Sequence, residues 1–344
     1  MNRIRISASS EYDVCIGSGL LRQLGAMAAS TCKVGKAAII SDSNVWPLYG
    51  KSAADSLRAA GFEVVYFVFP FGEKNKNGAT YLSLLNFLAE NQLTRSDCII
   101  ALGGGVVGDL AGFAAATYLR GVDYIQVPTT LLAAVDSSVG GKTAIDLPAG
   151  KNLVGCFYQP KLVVCDVDTL NTLPAPIFRD GCAEVIKYGV LFDPALFVHL
   201  EHAGLAFDRQ KVISRCVELK AQVVAADELD IGQRMLLNLG HTVGHAIEGV
   251  SNFSVSHGQA VAMGMAIVSR SCDCADTARL IACLKRFGLP TETAYSAELL
   301  AAVALRDKKR SGQTVNLILP ERIGKCAIVP TPAEELLSFI QAGL

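Results

Sequence analysis

The stretch that decides the fold is Cys98-Ile-Ile-Ala-Leu-Gly-Gly-Gly-Val-Val-Gly-Asp109. It predicts a short buried strand, a turn of three glycines at Gly103–Gly105, and a helix of small residues. In that strand-to-helix context, the pattern Gly-x-Gly-x-x-Gly lets bare backbone amides approach a pyrophosphate at the helix N-terminus. Glycine-rich turns also serve tight packing, so the turn by itself leaves both interpretations open.

Strand-like and helix-like patterns alternate around this turn. Strands are predicted at 36–41, 63–69, 98–102 and 125–128, and helices at 45–60 and 80–91. Strands separated by helices favour a parallel, doubly wound sheet, whose ligands lie at the carboxyl ends of the strands. The prediction is an α/β, Rossmann-like, NAD-binding domain over residues 1–172 and a mostly α-helical, metal- and substrate-binding domain over 173–344. Near the end, a hairpin is predicted across 320–324, and a closing helix from Thr331.

Composition and charge narrow the class of protein. The chain of 344 residues is 51% hydrophobic and 18% charged, as in a folded enzyme. A net charge of −1 gives no electrostatic case for binding nucleic acid or an anionic membrane. No segment approaches the roughly 20 apolar residues of a membrane span. Eleven scattered cysteines without Cys-x-x-Cys spacing favour reduced thiols in a cytoplasmic protein over a disulfide framework.

A metal site is indicated by histidine spacing in the second half. Three of the five histidines are His241, His245 and His257. On a helix, His241 and His245 share one face, although such pairs also serve as core or capping residues. Glu184 and Lys187 have the spacing of a surface ion pair, but their apolar neighbours favour an inward carboxylate that would join His241 and His257. Two imidazoles, one carboxylate and an open position are typical of catalytic zinc, with cobalt and iron left open.

Cations near these residues predict an anionic substrate. Arg234, Lys220, Lys308 and Lys309 favour a carboxylate, a phosphate or both. In the first half, Lys142 and Lys151 could belong to an anion pocket or simply be solvated. The sequence Gly140-Gly141-Lys142-Thr143 resembles the end of a P-loop, but the first glycine of that motif would fall at Asp136, which excludes it.

Taken together, these motifs resemble the 3-dehydroquinate synthase family over nearly the whole chain. The resemblance is carried by the segments 103–109, Arg120-Gly121, 128–133, 136–142, 150–152, 183–187, Asp227-Glu228, 237–248, His257-Gly258 and 307–309. It implies a homodimeric lyase of the shikimate pathway that uses NAD and a divalent metal, zinc before cobalt. Such an enzyme turns 3-deoxy-D-arabino-heptulosonate 7-phosphate into 3-dehydroquinate and phosphate. The implied steps are transient oxidation by NAD, phosphate elimination, reduction and an intramolecular aldol closure.

The resemblance also implies a role for each matching residue. The implied metal ligands are Glu184, His241 and His257, which leaves His245 as an acid/base residue rather than a ligand. The implied NAD contacts are Asp42, Glu73, Lys76, Gly104, Gly105, Val106, Asp109, Thr129, Thr130, Lys151 and Thr172. The implied substrate contacts are Asp136, Lys142, Asn152, Lys187, Lys220, Arg234, Asn238 and Lys308, with Arg120 reaching in from the partner subunit of a dimer.

Two residues depart from the family pattern. Asp230 stands where the family usually has Glu, so its acid/base position is one methylene shorter. Gln259 replaces the usual Glu after His257-Gly258, which would remove a charge beside a metal ligand and weaken metal binding.

Other functions remain as alternatives. A sister sugar-phosphate cyclase making an inosose, a valiolone or an amino analogue is the main one, although the full cationic set favours dehydroquinate. An NAD- and metal-dependent polyol dehydrogenase and a non-enzymatic NAD-binding regulatory module are the others. The dehydrogenase would have little use for the phosphate-binding lysines, and the regulatory module gives no reason for the retention of the three metal ligands and Lys142.

Overall fold

The computed structural model describes residues 1–308 and 314–344, without the side chains of residues 306–308. The predicted substrate contact of Lys308, and its neighbour Lys309, therefore lie outside the described part. The strands are β1 (Asn2–Ile6), β2 (Tyr12–Gly17), β3 (Lys36–Asp42), β4 (Glu63–Phe69), β5 (Cys98–Gly103), β6 (Asp123–Pro128), β7 (Lys142–Leu147), β8 (Gly150–Phe157), β9 (Leu162–Asp166), β10 (Thr314–Arg322) and β11 (Lys325–Pro332).

The α-helices alternate with these strands in the first half and dominate the second. They are α1 (Leu24–Ala29), α2 (Lys51–Ala59), α3 (Gly78–Glu90), α4 (Gly105–Thr117), α5 (Ala175–Phe192), α6 (Pro194–Ala203), α7 (Arg209–Ala226), α8 (His241–Val250), α9 (His257–Ser271), α10 (Thr277–Arg286), α11 (Ala297–Lys308) and α12 (Leu336–Gly343). The predicted fold class, a parallel-sheet α/β region followed by a mostly helical region, is confirmed.

The first compact unit comprises Met1–Leu173 and Arg209–Leu229. Its seven-stranded sheet has the order β1-β2-β9-β6-β5-β3-β4, parallel except for the β1–β2 hairpin at one edge. Apolar strands such as β5 are buried along their whole length because helices cover both faces of a parallel sheet. A separate antiparallel hairpin joins β7 to β8.

The strand order creates a topological switch point between β3 and β5. From β3 the chain first adds β4 on one side and then places β5 on the other. In such a sheet the connections leave the two central strands in opposite directions, which opens a crevice at their carboxyl ends. Asp42 ends β3, and Gly103–Gly105 span the end of β5 and the start of α4. The switch point therefore lies at the predicted nucleotide turn.

The second compact unit comprises Pro174–Asp208 and Asp230–Leu344. It holds the remaining helices and the antiparallel β10–β11 hairpin. The core helices α5 and α9 are buried over most of their length, including Glu184 and Lys187. Pro174 immediately precedes the first residue of α5, close to the predicted domain boundary between residues 172 and 173.

The predicted domain division differs from these units in one segment. Helix α7 and the residues after it fall in the second predicted domain but belong to the first compact unit. Asn2 donates a hydrogen bond from its side chain to Ser214 Oγ at 2.9 Å, and Glu228 accepts from the backbone N–H of Ser9 at 2.7 Å. The reason is tertiary: α7 packs against β1 and β2, which lie about 200 residues earlier in the chain, and such distant contacts leave no local signal in the sequence.

Near the C-terminus the predicted hairpin is confirmed, but its turn and the start of the closing helix differ from the prediction. The hairpin turn is tighter than predicted, because β10 continues through a bulge to Arg322. Thr331 lies in β11, paired with Val315, rather than in a helix. The closing helix α12 starts at Leu336, after a short 3-10 turn. Ladder hydrogen bonds to β10 override the helical tendency of this segment.

None of the eleven cysteines, all within the described ranges, forms a disulfide, which agrees with the prediction of reduced thiols. Among the described residues, no helix is both long and apolar enough to span a bilayer. The cytoplasmic location stays a prediction.

Candidate functional site

The second unit brings the three predicted metal ligands together. Glu184 lies in the middle of α5, His241 is the first residue of α8 and His257 the first of α9. Glu184 Oε1 lies 3.3 Å from His257 Nε2 and 3.5 Å from His241 Nε2. One ligand atom from each residue falls within 4.8 Å of the others. This donor set, two imidazole nitrogens and a carboxylate oxygen, fits a zinc-type cation with an open position.

The protonation of the two imidazoles follows from their neighbours. The carbonyl of Leu239 accepts from His241 Nδ1 at 3.1 Å, so the hydrogen sits on Nδ1 and the lone pair on Nε2. Burial and the nearby Lys187 ammonium lower the pKa of His241 to about 3. Burial opposes a charge on His257, but hydrogen bonds to Glu184 and Glu248 raise its pKa to about 10. A cation bound to His257 Nε2 would therefore displace a proton.

Glu184 and Lys187 form a buried pair rather than a surface one. Glu184 is fully buried, Lys187 is almost so, and Lys187 Nζ pairs with Glu184 Oε2. The inward orientation predicted from the apolar neighbours is confirmed. Because one carboxylate oxygen faces the ammonium, the other is left toward the two histidines.

A cavity of about 340 Å³ opens beside His241 in the second unit. Its walls include the predicted residues Asn238 and His245, together with Thr314 and Asn316 of β10. His245 is about half exposed, and its Nε2 lies 4.0 Å from Glu248 Oε2. The arrangement gives a solvent-accessible imidazole next to the metal cluster, as an acid/base residue needs.

Three further predicted residues belong to this unit. Arg234 is buried in a 3-10 turn over Gln233–Asn238. Asp230 has a left-handed backbone, with φ of 59°. Gln259 Oε1 accepts from the backbone N–H of Ser256 at 3.4 Å and closes a capping box at the start of α9. The weaker metal binding predicted from the absence of a glutamate here stays a prediction.

In the first unit, the ammonium of Lys76 contacts side chains that were predicted to bind NAD or the substrate. Its Nζ lies 2.9 Å from Glu73, 3.1 Å from Asp109 and 2.7 Å from Asn152 Oδ1. Burial disfavours the ammonium, but the carboxylates of Asp109 and Glu73 outweigh it and raise the pKa of Lys76 above its ordinary value. Burial raises the pKa of Asp109 to about 6 despite the nearby Lys76. Lys151 reaches Glu73 at 4.0 Å.

The glycine turn has the geometry of a ligand-accepting helix start. Gly104 caps α4 without a side-chain hydrogen bond, and a Cβ there would lie 2.9 Å from Thr130 Cγ2. The backbone N–H of Thr129 donates to the carbonyl of Gly103 at 2.9 Å. Within the described residues, the buried Thr129 hydroxyl has no hydrogen-bond partner. Buried polar groups are usually hydrogen bonded, so this hydroxyl is available to bind a ligand.

The remaining predicted NAD-contacting residues of the first unit lie in separate elements. Val106 lies in the first turn of α4. Asp42 Oδ1 accepts from the backbone N–H of Asn44 at 2.8 Å. The Thr172 hydroxyl is hydrogen bonded to Tyr49 OH, in the segment after β3.

The predicted substrate residues of this unit form one clear contact. Lys220 of α7 donates to the carbonyl of Asp136 at 2.6 Å and pairs with its carboxylate. Lys142 begins β7. Arg120 follows Leu119, and both have left-handed backbones, with φ of 67° and 50°.

Sequence reasoning gave no role to Glu248, Asp146, Thr314 or Asn316. Glu248 follows His245 at i, i+3 on a helix with an apolar face, which is a signal that could have identified it. Asp146 lies 3.7 Å from Lys76 Nζ. The two hairpin residues could not have been found, because only the fold brings β10 beside the cavity.

Two solved synthases share the whole architecture. A 2-deoxy-scyllo-inosose synthase complexed with carbaglucose-6-phosphate, NAD⁺ and Co²⁺ matches with a TM-score of 0.88 over 100% of both chains, at 25% identity. The 2-epi-5-epi-valiolone synthase of Streptomyces hygroscopicus subsp. jinggangensis, with NAD⁺ and Zn²⁺ bound, matches with 0.87 over 98% of both chains, at 27% identity. The fold and the ligand cluster thus define a protein of this synthase class.

The chain belongs to the 3-dehydroquinate synthase family. The family model of the N-terminal region of 3-dehydroquinate synthase matches residues 66–180, and the model of its C-terminal region matches residues 181–310. The 3-dehydroquinate synthase of Pelobacter propionicus is 47% identical over 96% of both chains. That of Streptococcus suis is 44% identical over 97% of this chain and 98% of its own. The resemblance read from the motifs is confirmed.

Proposed function

We propose that the protein is a 3-dehydroquinate synthase, a phosphate-eliminating lyase that converts 3-deoxy-D-arabino-heptulosonate 7-phosphate to 3-dehydroquinate. One observation carries this proposal: Glu184, His241 and His257 converge in a chain that belongs to the family along both halves. Membership of the family indicates which reaction is catalysed. The proximity of the three side chains supports the presence of the metal site that this reaction needs.

Two bound groups complete the machinery in this proposal. Glu184, His241 and His257 hold a divalent metal, zinc or cobalt, and the turn at Gly104 and Gly105 holds NAD. When bound, the metal polarises a substrate oxygen and NAD accepts and returns a hydride. The support is the donor chemistry of the cluster, the switch point at the glycine turn and the unsatisfied hydroxyl of Thr129.

The chain's own residues bind, orient and move protons. In this proposal His245 exchanges a proton with a bound ligand, and Asn238 offers an amide at the same wall; the support is that both line the cavity and that His245 is half exposed. Arg234 and Lys187 in the second unit, and Lys142 and Lys220 in the first, supply cations for phosphate and carboxylate groups. Binding groups of this kind hold a substrate in place through several steps.

The Lys76 cluster organises the dinucleotide side of the first unit. Glu73, Asp109 and Asn152 fix the ammonium in a buried position, so the groups around the crevice are preorganised. Lys151, Asp42, Val106, Thr130 and Thr172 contribute further contacts in this proposal. Asp136 is assigned to the substrate, and Asp230 to the acid/base position at which the family usually has Glu. The enzyme acts in the cytoplasm as a homodimer, in which Arg120 serves the partner subunit.

The test is phosphate release from the purified protein supplied with NAD and Zn²⁺. With 3-deoxy-D-arabino-heptulosonate 7-phosphate we expect phosphate and 3-dehydroquinate in equal amounts, and no turnover after a chelator. Turnover of glucose 6-phosphate or sedoheptulose 7-phosphate instead, without phosphate from the heptulosonate, would transfer the protein to the sister cyclases.

A further inference from the structure

Glu248 is a buried carboxylate that faces two of the three clustered histidines. It lies in the last turn of α8 and is 3% exposed. Its Oε2 lies 3.4 Å from His257 Nδ1 and 4.0 Å from His245 Nε2. On the other side of the same imidazole, His257 Nε2 faces Glu184. The ring of His257 thus lies between two carboxylates, one on each nitrogen.

The position of Glu248 is unfavourable for the helix that carries it. A carboxylate near a helix C-terminus is repelled by the partial negative charge of the exposed carbonyls. Burial adds a desolvation cost that is offset only by hydrogen bonds or charge partners. Helix stability therefore gives no reason for a glutamate here, whereas the contact with His257 does.

The two histidines of the cluster are oriented through equivalent atoms. Leu239 accepts from Nδ1 of His241, and Glu248 takes the corresponding place for His257. Both rings consequently direct Nε2 toward the same oxygen of Glu184. A carboxylate that accepts from the non-ligating nitrogen fixes the tautomer and ring orientation and makes the other nitrogen a stronger ligand.

We propose that Glu248 is the positioning residue of the metal centre, holding His257 so that Nε2 binds the cation. This inference rests on the proposed function only in requiring that the Glu184–His241–His257 cluster holds a metal. It gives Glu248 no direct part in the reaction.

The test measures metal binding by chelator-treated protein, without substrate. Co²⁺ is titrated against a competing chromophoric chelator, and the visible spectrum of the bound ion is recorded. We expect Glu248→Ala to raise the Kd for Co²⁺ by about 10–100-fold and to alter the spectrum, because the ring loses its orientation. Glu248→Gln keeps an acceptor oxygen but loses the charge, so we expect a smaller rise of at least about threefold.

Ser251→Ala is the matched control. Ser251 lies in the same buried turn and donates to the backbone carbonyl of Glu248 at 2.9 Å, so its loss weakens the turn without removing the carboxylate. We expect a lower melting temperature with an unchanged Kd and spectrum. If the folded Glu248→Ala protein binds Co²⁺ like the wild type, the proposal is wrong; should that variant not fold, a wild-type Kd for Glu248→Gln has the same meaning.

The outcome is separable from that of the proposed reaction. A protein that needs Glu248 for tight Co²⁺ binding but releases no phosphate would overturn the reaction and leave the positioning role intact. Phosphate release with a Kd insensitive to Glu248 would do the reverse.

Discussion

The contact between α5 and α9 leaves no room for a side chain at Gly258. A Cβ there would lie 2.0 Å from the carbonyl oxygen of Asp180 and 2.6 Å from its carbonyl carbon, both backbone atoms of α5. Ordinary contact begins at 3.4 Å, so Gly258→Ala requires the helices to separate by about 1.4 Å if they move as rigid bodies. His257 adjoins this glycine, and Glu184 lies one turn beyond Asp180.

We therefore expect Gly258→Ala to damage the metal cluster more than its small size suggests. Metal–ligand distances tolerate only about 0.2 Å, so the Kd for Co²⁺ should rise at least about tenfold. Overpacking should also lower the free energy of unfolding by about 1–3 kcal/mol. The assays are Co²⁺ titration against a chelator and urea unfolding monitored by circular dichroism.

Gly78→Ala provides the control for a glycine-to-alanine change. Gly78 begins α3, and a Cβ there meets no atom within 4 Å. This variant should keep its metal affinity and gain up to about 1 kcal/mol of stability. A Gly258→Ala protein with the metal affinity and stability of the wild type would refute the close-contact argument.

Two further variants test the charged clusters. His257→Ala should lose bound metal, measured as metal per chain after dialysis, whereas exposed His199→Ala should keep it; stoichiometric metal in the first variant would show the ligand set to be wrong. Lys76→Met should lower the free energy of unfolding by about 3–5 kcal/mol at pH 7, because Asp109 and Glu73 lose a buried cation. Without that cation the folded-state pKa values of both carboxyls rise, so the deficit should shrink as pH falls toward 5, measured by urea unfolding; a pH-independent deficit would contradict this reasoning.

Elements with strong local signals could be predicted from the sequence. Strand β4 begins and ends where its alternating β-branched and aromatic residues indicated, and β5 ends within a residue of the prediction. These signals are local, since burial on a parallel sheet demands short apolar runs between helices. The segment from Thr331 failed because pairing with β10 outweighed its local tendency.

Only part of the candidate site could be predicted from the spacing of residues in the sequence. The spacing of His241 and His245 indicated a pair on one helix, whereas the structure adds His257 and two carboxylates: Glu184 lies beside His241 and His257, and Glu248 beside His245 and His257. The choice of Glu184, His241 and His257 as the metal ligands came from the resemblance to a family and stays a prediction. Spacing within one helix cannot report on residues that approach from two others.

The sequence by itself determined the alternation of strands and helices, the glycine turn after β5 and the chemical types of the metal ligands. Tertiary structure decided that α7 joins the first unit, that Glu248 lies against His257 and that Gly258 meets the backbone of Asp180. The physical reason is the separation along the chain of the residues that interact. Periodicity and turn chemistry act over a few residues and are visible in the chain, whereas packing partners are selected from the whole fold and leave no local mark.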